Sequence, residues 1–225
     1  MKKLLKKDIV SSHLAIVCLL LMNNYDLLFQ KTIDKLEGRP KLLLHVCCGP
    51  CSVYPLVLLN QYFDITIYYG NSNIFPYAEY QKRLAELEKY LAILDTDIKL
   101  IIPKYDPNFQ AKLAEYGVME EGKERCVKCY AMRMLEAYQY ATKHNFDYFT
   151  TIMSISNHKN ANYINIIGEN LEKTFKSNVK FLYADFKKRG GIDKNREMNA
   201  EVNLYQQAYC GCAYSLADYK TKTSL

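Results

Sequence analysis

Seven of the eight cysteines lie in three short clusters, a pattern typical of metal or redox chemistry. The clusters are Cys47, Cys48 and Cys51, then Cys126 and Cys129, then Cys210 and Cys212. A secreted disulfide scaffold spaces its cysteines so that bridges close loops, and adjacent cysteines are poorly suited to that. The pattern therefore favours a reducing compartment, in which the thiols stay available.

The first cluster stands where a predicted strand turns into a predicted helix. Free backbone N–H groups and the helix dipole favour thiolates there, and thiolates are the ligands that iron and zinc require. Together with Cys126 and Cys129, Cys47 and Cys48 supply four sulfur ligands, the number that a 4Fe-4S cluster or a structural zinc ion takes. Adjacent cysteines disfavour zinc, since zinc sites usually draw on two spaced pairs. Cys51 is then a surplus thiol, which either binds an additional metal or only packs.

The third cluster is a CxC pair with Gly211 between its cysteines. Cys210 and Cys212 are too close to hold one metal tetrahedrally without strain, but the glycine allows them to close a small disulfide ring. Strained local disulfides tend to be more oxidising, so we interpret the pair as redox-active. The alternative is two free thiols in the core.

Strand and helix patterns alternate along the chain. The apolar run at 42–46 predicts a buried parallel strand, and further strands are predicted at 65–69, 99–102, 146–152 and 179–183. Predicted helices cover 25–36, 53–62, 79–94, 129–143 and 160–175. The alternation predicts a doubly wound, mostly parallel α/β sheet of the Rossmann-like kind with flanking helices, which binds ligands at the carboxyl ends of its strands.

Polar and thiol groups stand at four of these strand ends, at Cys47, Asn71, Thr150 and Asp185, so we expect them to converge on one crevice. Side chains near strand ends can bind phosphate, ribose hydroxyls or base edges, although each alone is more often a cap or turn residue. The predicted substrate-binding residues are Asn71, Asn73, Glu79, Arg83, Thr150, Thr151, Ser154 and Lys187.

The 225 residues, 49% of them apolar, predict one domain at 23–225. Lysines ahead of the apolar run at 14–22 resemble a signal peptide, but the run is too short to span a bilayer and no small-residue cleavage site follows it. We therefore expect 1–22 to be an extension outside the fold, with either Met1 or Met22 as the start. The net charge of +6 fits an acidic partner such as RNA, but weakly, because many basic proteins bind nothing acidic.

Six motifs together carry a resemblance to a known family. They are HVCCGPCS, NSNIFPYAEYQKR, RCVKCYAMR, FTTIMSISNHK, ADFKKRGG and YQQAYCGCAYS, and the match runs from about Leu42 to Ser215. In this order they resemble the cobalamin-independent epoxyqueuosine reductases of the QueH type. The chain departs from the family pattern at Ser72, where a proline is common, and at Gln206, where a basic residue is common.

The resemblance implies an activity and a cofactor. The activity is the reduction of epoxyqueuosine to queuosine at the wobble position of tRNA, the last step of queuosine biosynthesis, which we expect in the cytoplasm. The family places a 4Fe-4S cluster on residues that correspond to Cys47, Cys48, Cys126 and Cys129. It also implies that Cys210 and Cys212 form a redox-active disulfide.

Removal of an epoxide oxygen needs two electrons, two protons and a Lewis acid. We therefore expect Cys51 or Asp185 to help bind an additional mononuclear iron, and Lys159, Lys187 or a tyrosine to supply a proton. The electron donor and the oligomeric state are left open by the sequence.

Two other functions are compatible with parts of the sequence. A zinc-stabilised, non-catalytic RNA-binding domain would be colourless and would not need the CxC pair. An adenylating α/β enzyme would carry a serine- and glycine-rich phosphate loop where this chain carries thiols.

Overall fold

The computed structural model describes residues 24–94 and 96–224, so the extension predicted at 1–22 lies outside the described residues. In chain order the strands are β1 (Lys41–His45), β2 (Asp64–Tyr68), β3 (Lys99–Ile101), β4 (Tyr148–Thr151) and β5 (Lys180–Phe181). They form one sheet in the order β3-β2-β1-β4-β5, and every pairing is parallel. The predicted doubly wound α/β fold is confirmed.

The α-helices cover both faces of the sheet. They are α1 (Tyr25–Ile33), α2 (Gly49–Leu59), α3 (Tyr77–Leu94), α4 (Glu124–Lys143), α5 (Ala161–Phe175), α6 (Gly191–Val202) and α7 (Ala213–Thr223). Short 3-10 helices occupy Ala111–Tyr116 and Ile152–Ile155. Within the described parts of the chain, no helix is both long enough and apolar enough to cross a membrane.

β1 is the central strand, and its sequence explains why. Leu42, Leu43 and Leu44 are fully buried, as a strand covered by helices on both faces requires. The chain order reverses at this strand, with β2 and β3 on one side and β4 and β5 on the other. In such sheets the ligand crevice opens at the carboxyl ends of the two strands where the order reverses. Cys47 follows β1 after one residue, so the fold places the first cysteine cluster at this crevice.

Helix α2 begins at Gly49, earlier than the sequence pattern predicts, because proline suits the first turn of a helix and Pro50 stands there. Cys48 is the N-cap residue, and Cys51 lies in the first turn. A Cβ atom at Gly49 would lie 2.8 Å from the carbonyl oxygen of Glu86 on α3. Only glycine therefore allows the cysteine-bearing turn to approach α3 this closely.

The sequence pattern does not predict α6 or α7. Helix α6 carries few apolar residues, and polar contacts hold it against α2. The Nδ2 atoms of Asn195 and Asn199 both donate hydrogen bonds to the carbonyl oxygen of Pro50, at 2.9 and 2.7 Å. A hydrophobic periodicity cannot reveal a helix that is anchored in this way.

Replacement of Leu44 by alanine tests the central role of β1. We expect Leu44→Ala to lower the free energy of unfolding by about 2–5 kcal/mol, because the side chain is fully buried and its loss leaves a cavity. Leu27→Ala on α1 is the matched control, since Leu27 is 48% exposed, and we expect it to change the free energy by at most about 0.5 kcal/mol. Urea unfolding followed by circular dichroism measures both, and equal losses would contradict the assignment of β1 as the core strand.

Candidate metal and redox site

Three cysteine sulfur atoms meet where β1 turns into α2. The Sγ atoms of Cys47, Cys48 and Cys51 all lie within 4.8 Å of one another. Cys48 and Cys51 form a disulfide, and the Sγ atom of Cys47 lies 3.9 Å from that of Cys48. Cys47 is 8% exposed and Cys48 is 1% exposed. This group of sulfur donors at a helix N-terminus is suited to holding a metal ion or an iron–sulfur cofactor.

The three cysteines line a cavity of about 150 Å³. The rest of its wall is formed by Asn73, Ile74, Arg83, Glu121, Arg133, Ser156, His158, Lys159, Gln207, Tyr209 and Cys210. The wall therefore combines thiols with two buried arginines and a lysine. Three of its buried atoms, Asn73 Oδ1, Arg133 Nε and Gln207 Oε1, find no hydrogen-bond partner among residues 24–94 and 96–224. Buried polar atoms normally have a hydrogen-bond partner, so these three atoms are suited to hydrogen bonds with a polar or charged molecule bound in the cavity.

Cys126 and Cys129 lie in the first two turns of α4, and each is 8% exposed. Burial raises the pKa of the Cys126 thiol, and burial raises the pKa of Cys129 to about 12, against an opposing effect of the nearby Arg133 guanidinium. Cys126 and Cys129 do not belong to the cavity wall themselves. Cys129 interacts electrostatically with Arg133 and Cys210, both of which do line the cavity, so the CxxC pair adjoins that side of it.

Cys210 and Cys212 are free thiols in two different environments. Cys210 lines the cavity, and burial raises the pKa of its thiol, while Lys159 acts in the opposite direction. The Sγ atom of Cys212 accepts a hydrogen bond from the backbone N–H of Ser215 at 3.4 Å and so caps α7. The third cluster thus connects the cavity to the last helix.

Gln207 contacts the first cysteine cluster directly, and the sequence did not predict this contact. Its Nε2 atom donates hydrogen bonds to the sulfur atoms of Cys48, at 3.2 Å, and Cys51, at 3.5 Å. Arg133 was missed as well, although it lies seven residues after Cys126 in the same motif. The sequence contains no signal for either role, because an arginine or glutamine on a predicted surface looks the same whether it is buried or solvated.

Asn71, predicted as a substrate-binding residue, is 1% exposed and fully engaged within the protein. Its Nδ2 atom donates a hydrogen bond to the carbonyl oxygen of Val46 at 2.8 Å, and its Oδ1 atom accepts one from Arg133 Nη2 at 2.5 Å. The side chain therefore joins the end of β1 to α4.

The predicted substrate-binding residues on and after β4 are also buried and hydrogen-bonded within the protein. The Oγ1 atom of Thr150 donates to the carbonyl oxygen of Leu182 at 2.7 Å. The Oγ1 atom of Thr151 lies 2.8 Å from His45 Nδ1, and Ser154 Oγ accepts a backbone hydrogen bond at 3.4 Å. None of these three threonine and serine side chains belongs to the cavity wall.

The predicted residues Asn73 and Arg83 do line the cavity. Asn73 is 2% exposed, and its Oδ1 atom has no hydrogen-bond partner within the described part of the chain. Arg83 forms a buried ion pair with the predicted residue Glu79, with 2.7 Å between Nε and Oε1. Asn73 is therefore the predicted residue whose side chain is best placed to accept a hydrogen bond from a bound molecule.

Asp185 and Lys187 lie beside the cavity and not in its wall. Their charged groups are 3.2 Å apart, and burial lowers the pKa of Lys187, against the opposing effect of Asp185. They line a more open groove of about 610 Å³, which shares Glu121, His158 and Lys159 with the cavity. The cavity and the groove are therefore neighbours that meet at these three residues.

Comparisons with known proteins agree with this chemistry. A family model described as "Epoxyqueuosine reductase QueH" matches residues 42–218. The epoxyqueuosine reductase QueH of Staphylococcus epidermidis is 39% identical over 202 residues, which are 85% of this chain and 84% of the relative. That of Staphylococcus aureus is 37% identical over 212 residues, which are 88% of each chain.

A solved structure shares the fold. The U34-tRNA thiolase NcsA from Methanococcus maripaludis, determined with its 4Fe-4S cluster, superimposes with a TM-score of 0.50. The match covers 89% of this chain and 70% of that one, at 16% sequence identity. At this identity the likeness concerns the fold alone.

Replacement of Asn71 by alanine tests whether this side chain supports the site from within. We expect Asn71→Ala to lower the free energy of unfolding by about 1–3 kcal/mol, because it leaves the Val46 carbonyl and the Arg133 guanidinium without a buried partner. Asn73→Ala, two positions along the same loop, is the matched control, and we expect a smaller loss because no hydrogen bond of its side chain is removed. Chemical denaturation measures both, and an equal or reversed order would contradict the supporting role of Asn71.

Proposed function

Because the chain belongs to the QueH family of epoxyqueuosine reductases, we propose that it reduces the epoxide of epoxyqueuosine at the wobble position of tRNA to the cyclopentene of queuosine. The epoxide takes up two electrons and two protons, and its oxygen leaves as water. The observation that carries this proposal is the cavity at the carboxyl end of β1. Four cysteines line it together: Cys47, Cys48, Cys51 and Cys210.

The residues around the cavity fit an iron–sulfur cofactor. The donor set is made of thiols, which such clusters require, and the cavity wall contains buried polar atoms that lack partners. We propose that Cys47, Cys48, Cys126 and Cys129 hold a 4Fe-4S cluster. Because Cys48 is in a disulfide with Cys51, the cluster can be assembled only after that bond is reduced. When bound, the cluster would supply single electrons near the substrate.

We propose that Cys51, which is not one of the four cluster ligands, helps bind a second metal. Cys51 lines the cavity beside Cys47 and Cys48. Asp185 is paired with Lys187 in the neighbouring groove. The proposal of an additional mononuclear iron therefore rests on Cys51, and a Lewis acid held there would polarise the epoxide oxygen.

The substrate is proposed to extend from the cavity into the groove. Ligand pockets commonly measure about 300–1,000 Å³, so the cavity of about 150 Å³ would not hold a whole nucleotide beside a cluster on its cysteines. The neighbouring groove of about 610 Å³ can receive the rest of the nucleotide. Lys159 lines both spaces, which suits it to deliver a proton to the departing oxygen.

Cys210 and Cys212 are proposed to act as the redox pair. Oxidation of two thiols to a disulfide releases two electrons and two protons, which is the amount that removal of the epoxide oxygen consumes. Cys210 lines the cavity, so its thiol is the nearer of the pair to the proposed reaction site. tRNA is the proposed partner and the cytoplasm the proposed location, because tRNA maturation takes place there.

Iron content tests the proposed metal ligands. We expect anaerobic reconstitution with iron, sulfide and dithiothreitol to load about four or five iron atoms per chain and to give a brown protein, as thiolate-bound clusters do. Cys47→Ala and Cys129→Ala should each lose most of this iron, and Cys51→Ala should lose only the additional iron. Cys18→Ala is the matched control, since Cys18 belongs to none of the three clusters. An unchanged iron content in Cys51→Ala would exclude Cys51 from any metal site. A colourless wild-type protein would contradict the proposed 4Fe-4S cluster.

Replacement of the redox pair separates electron transfer from cofactor binding. We expect Cys210→Ser and Cys212→Ser to reduce the conversion of epoxyqueuosine by about 100-fold or more while iron content stays at the wild-type level. Mass analysis of tRNA nucleosides after anaerobic incubation with a chemical reductant measures the conversion. Full activity of either serine variant would contradict the redox role, and a parallel loss of iron would reassign that cysteine to the metal site.

A further inference from the structure

The segment 203–212 closes one side of the cavity and is anchored along α3. It contributes Gln207, Tyr209 and Cys210 to the cavity wall. At its start, Lys89 Nζ donates to the carbonyl oxygen of Asn203 at 3.0 Å. Helix α3 also holds Tyr205, whose backbone N–H donates to Glu86 Oε2 at 2.9 Å and whose ring lies 3.4 Å from Lys82 Nζ. The polar side of α3 thus determines where this segment runs.

Arg83 is the buried centre of this attachment. It is 3% exposed, and Nη2 donates to the carbonyl oxygen of Tyr209 at 3.0 Å while Nη1 donates to that of Cys210 at 2.9 Å. The third guanidinium nitrogen, Nε, donates to Glu79 Oε1 at 2.7 Å. A planar guanidinium that binds two consecutive carbonyls fixes the orientation of both peptide groups. Lysine cannot reproduce this geometry, because it carries a single nitrogen.

The next peptide group is fixed as well. The carbonyl oxygen of Gly211 accepts a hydrogen bond from the backbone N–H of Phe75 at 2.7 Å. Gly211 has a φ of +133°, and a Cβ there would lie 3.0 Å from Arg83 Nη1 and 3.3 Å from the side chain of Ile74. Three consecutive carbonyls are therefore held by α3 and by the loop before it. With the backbone fixed, Cys210 lines the cavity and the sulfur of Cys212 caps α7.

We propose that Arg83 is a positioning residue for the Cys210–Cys212 pair and keeps it in the dithiol form, and that Arg83 does not bind substrate as the sequence suggests. A rearrangement that turns the peptide groups between the cysteines to close the disulfide would break the hydrogen bond from Arg83 to the carbonyl of Cys210 and shift the Cys212 sulfur from the N–H of Ser215. Arg83 opposes that rearrangement, because it binds the carbonyl of Cys210. The redox role of the pair is part of the proposed function, and the positioning by Arg83 deepens it.

The equilibrium between dithiol and disulfide tests this proposal without reference to catalysis. With glutathione disulfide as oxidant, two protein thiols become one protein disulfide and two glutathione molecules are released. The holoprotein is equilibrated anaerobically in glutathione buffers, alkylated and digested with trypsin. The peptide 197–220 contains Cys210 and Cys212 and no other cysteine, so mass spectrometry of this peptide reports the pair alone. We expect Arg83→Lys to raise the equilibrium constant for disulfide formation by about tenfold, as weakening of a charge-assisted hydrogen bond predicts.

Arg125→Lys is the matched control. Arg125 is also 3% exposed and also binds two backbone carbonyls, those of Gly117 at 2.9 Å and Met119 at 3.0 Å. Its guanidinium packs 3.9 Å from the ring of Tyr214, close in sequence to Cys212, which makes the control stringent. We expect its equilibrium constant to stay within about twofold of the wild type. An unchanged constant in Arg83→Lys, or the same shift in Arg125→Lys, would overturn the proposal.

Steady-state kinetics with epoxyqueuosine-containing tRNA distinguish positioning from substrate binding. We expect Arg83→Lys to change kcat and leave KM within about twofold, because the variant alters the pair that donates the electrons, whereas a lost substrate contact would raise KM and would contradict us. If Arg83→Lys does not fold, as judged by circular dichroism, Tyr209→Phe serves instead, because it removes the 2.6 Å hydrogen bond from the Tyr209 hydroxyl to the carbonyl of Phe75 and loosens the same segment. An inactive wild type would refute the reductase assignment and leave the thiol equilibrium measurable.

Discussion

A short series of buried hydrogen bonds joins the two parts of the chain that carry the proposed cluster ligands. The carbonyl of Val46, next to Cys47, binds Asn71, and Asn71 binds Arg133, which stands one turn after Cys129 on α4. The carboxyl ends of β1 and β2 and the start of α4 are thereby held in one arrangement. This connection adds buried hydrogen bonds to the hydrophobic packing that places Cys47, Cys48 and Cys126 in one core cluster.

Charge gives this connection a second consequence. Arg133 is 2% exposed, and among the residues that the structure describes it forms no ion pair with a carboxylate. A buried cation without an anion is costly, and a buried thiolate is costly as well, which is why burial raises the pKa of Cys126, Cys129 and Cys210. Anionic sulfur beside Arg133 would lower both costs. The site is thus arranged for negative charge on sulfur, as metal-bound thiolates carry.

The sequence was sufficient for the sheet and for the first cysteine cluster. An apolar run such as Leu42–Leu43–Leu44 indicates a strand that is buried on both faces. In a parallel sheet the turn after such a strand lies at the carboxyl edge, where ligands bind. Side-chain partners were harder to predict. Arg83 and Asn71 are predicted as substrate contacts because polar residues near strand ends often are, and the sequence did not indicate the backbone carbonyls from distant segments that they bind. Helix α6 escaped prediction for the same reason, since two asparagines bind it to Pro50.

The close approach of Gly49 to the Glu86 carbonyl means that one helix, α3, contacts both the first and the third cysteine cluster. Helix α3 meets the Cys47–Cys51 turn backbone to backbone at one point and holds the Cys210 peptide through Arg83 at another. No flexible side chain lies between turn and helix at Gly49 to absorb a displacement. Helix α3 therefore contacts the first cysteine cluster through its backbone and the third through Arg83, so a displacement of this helix would act on both clusters.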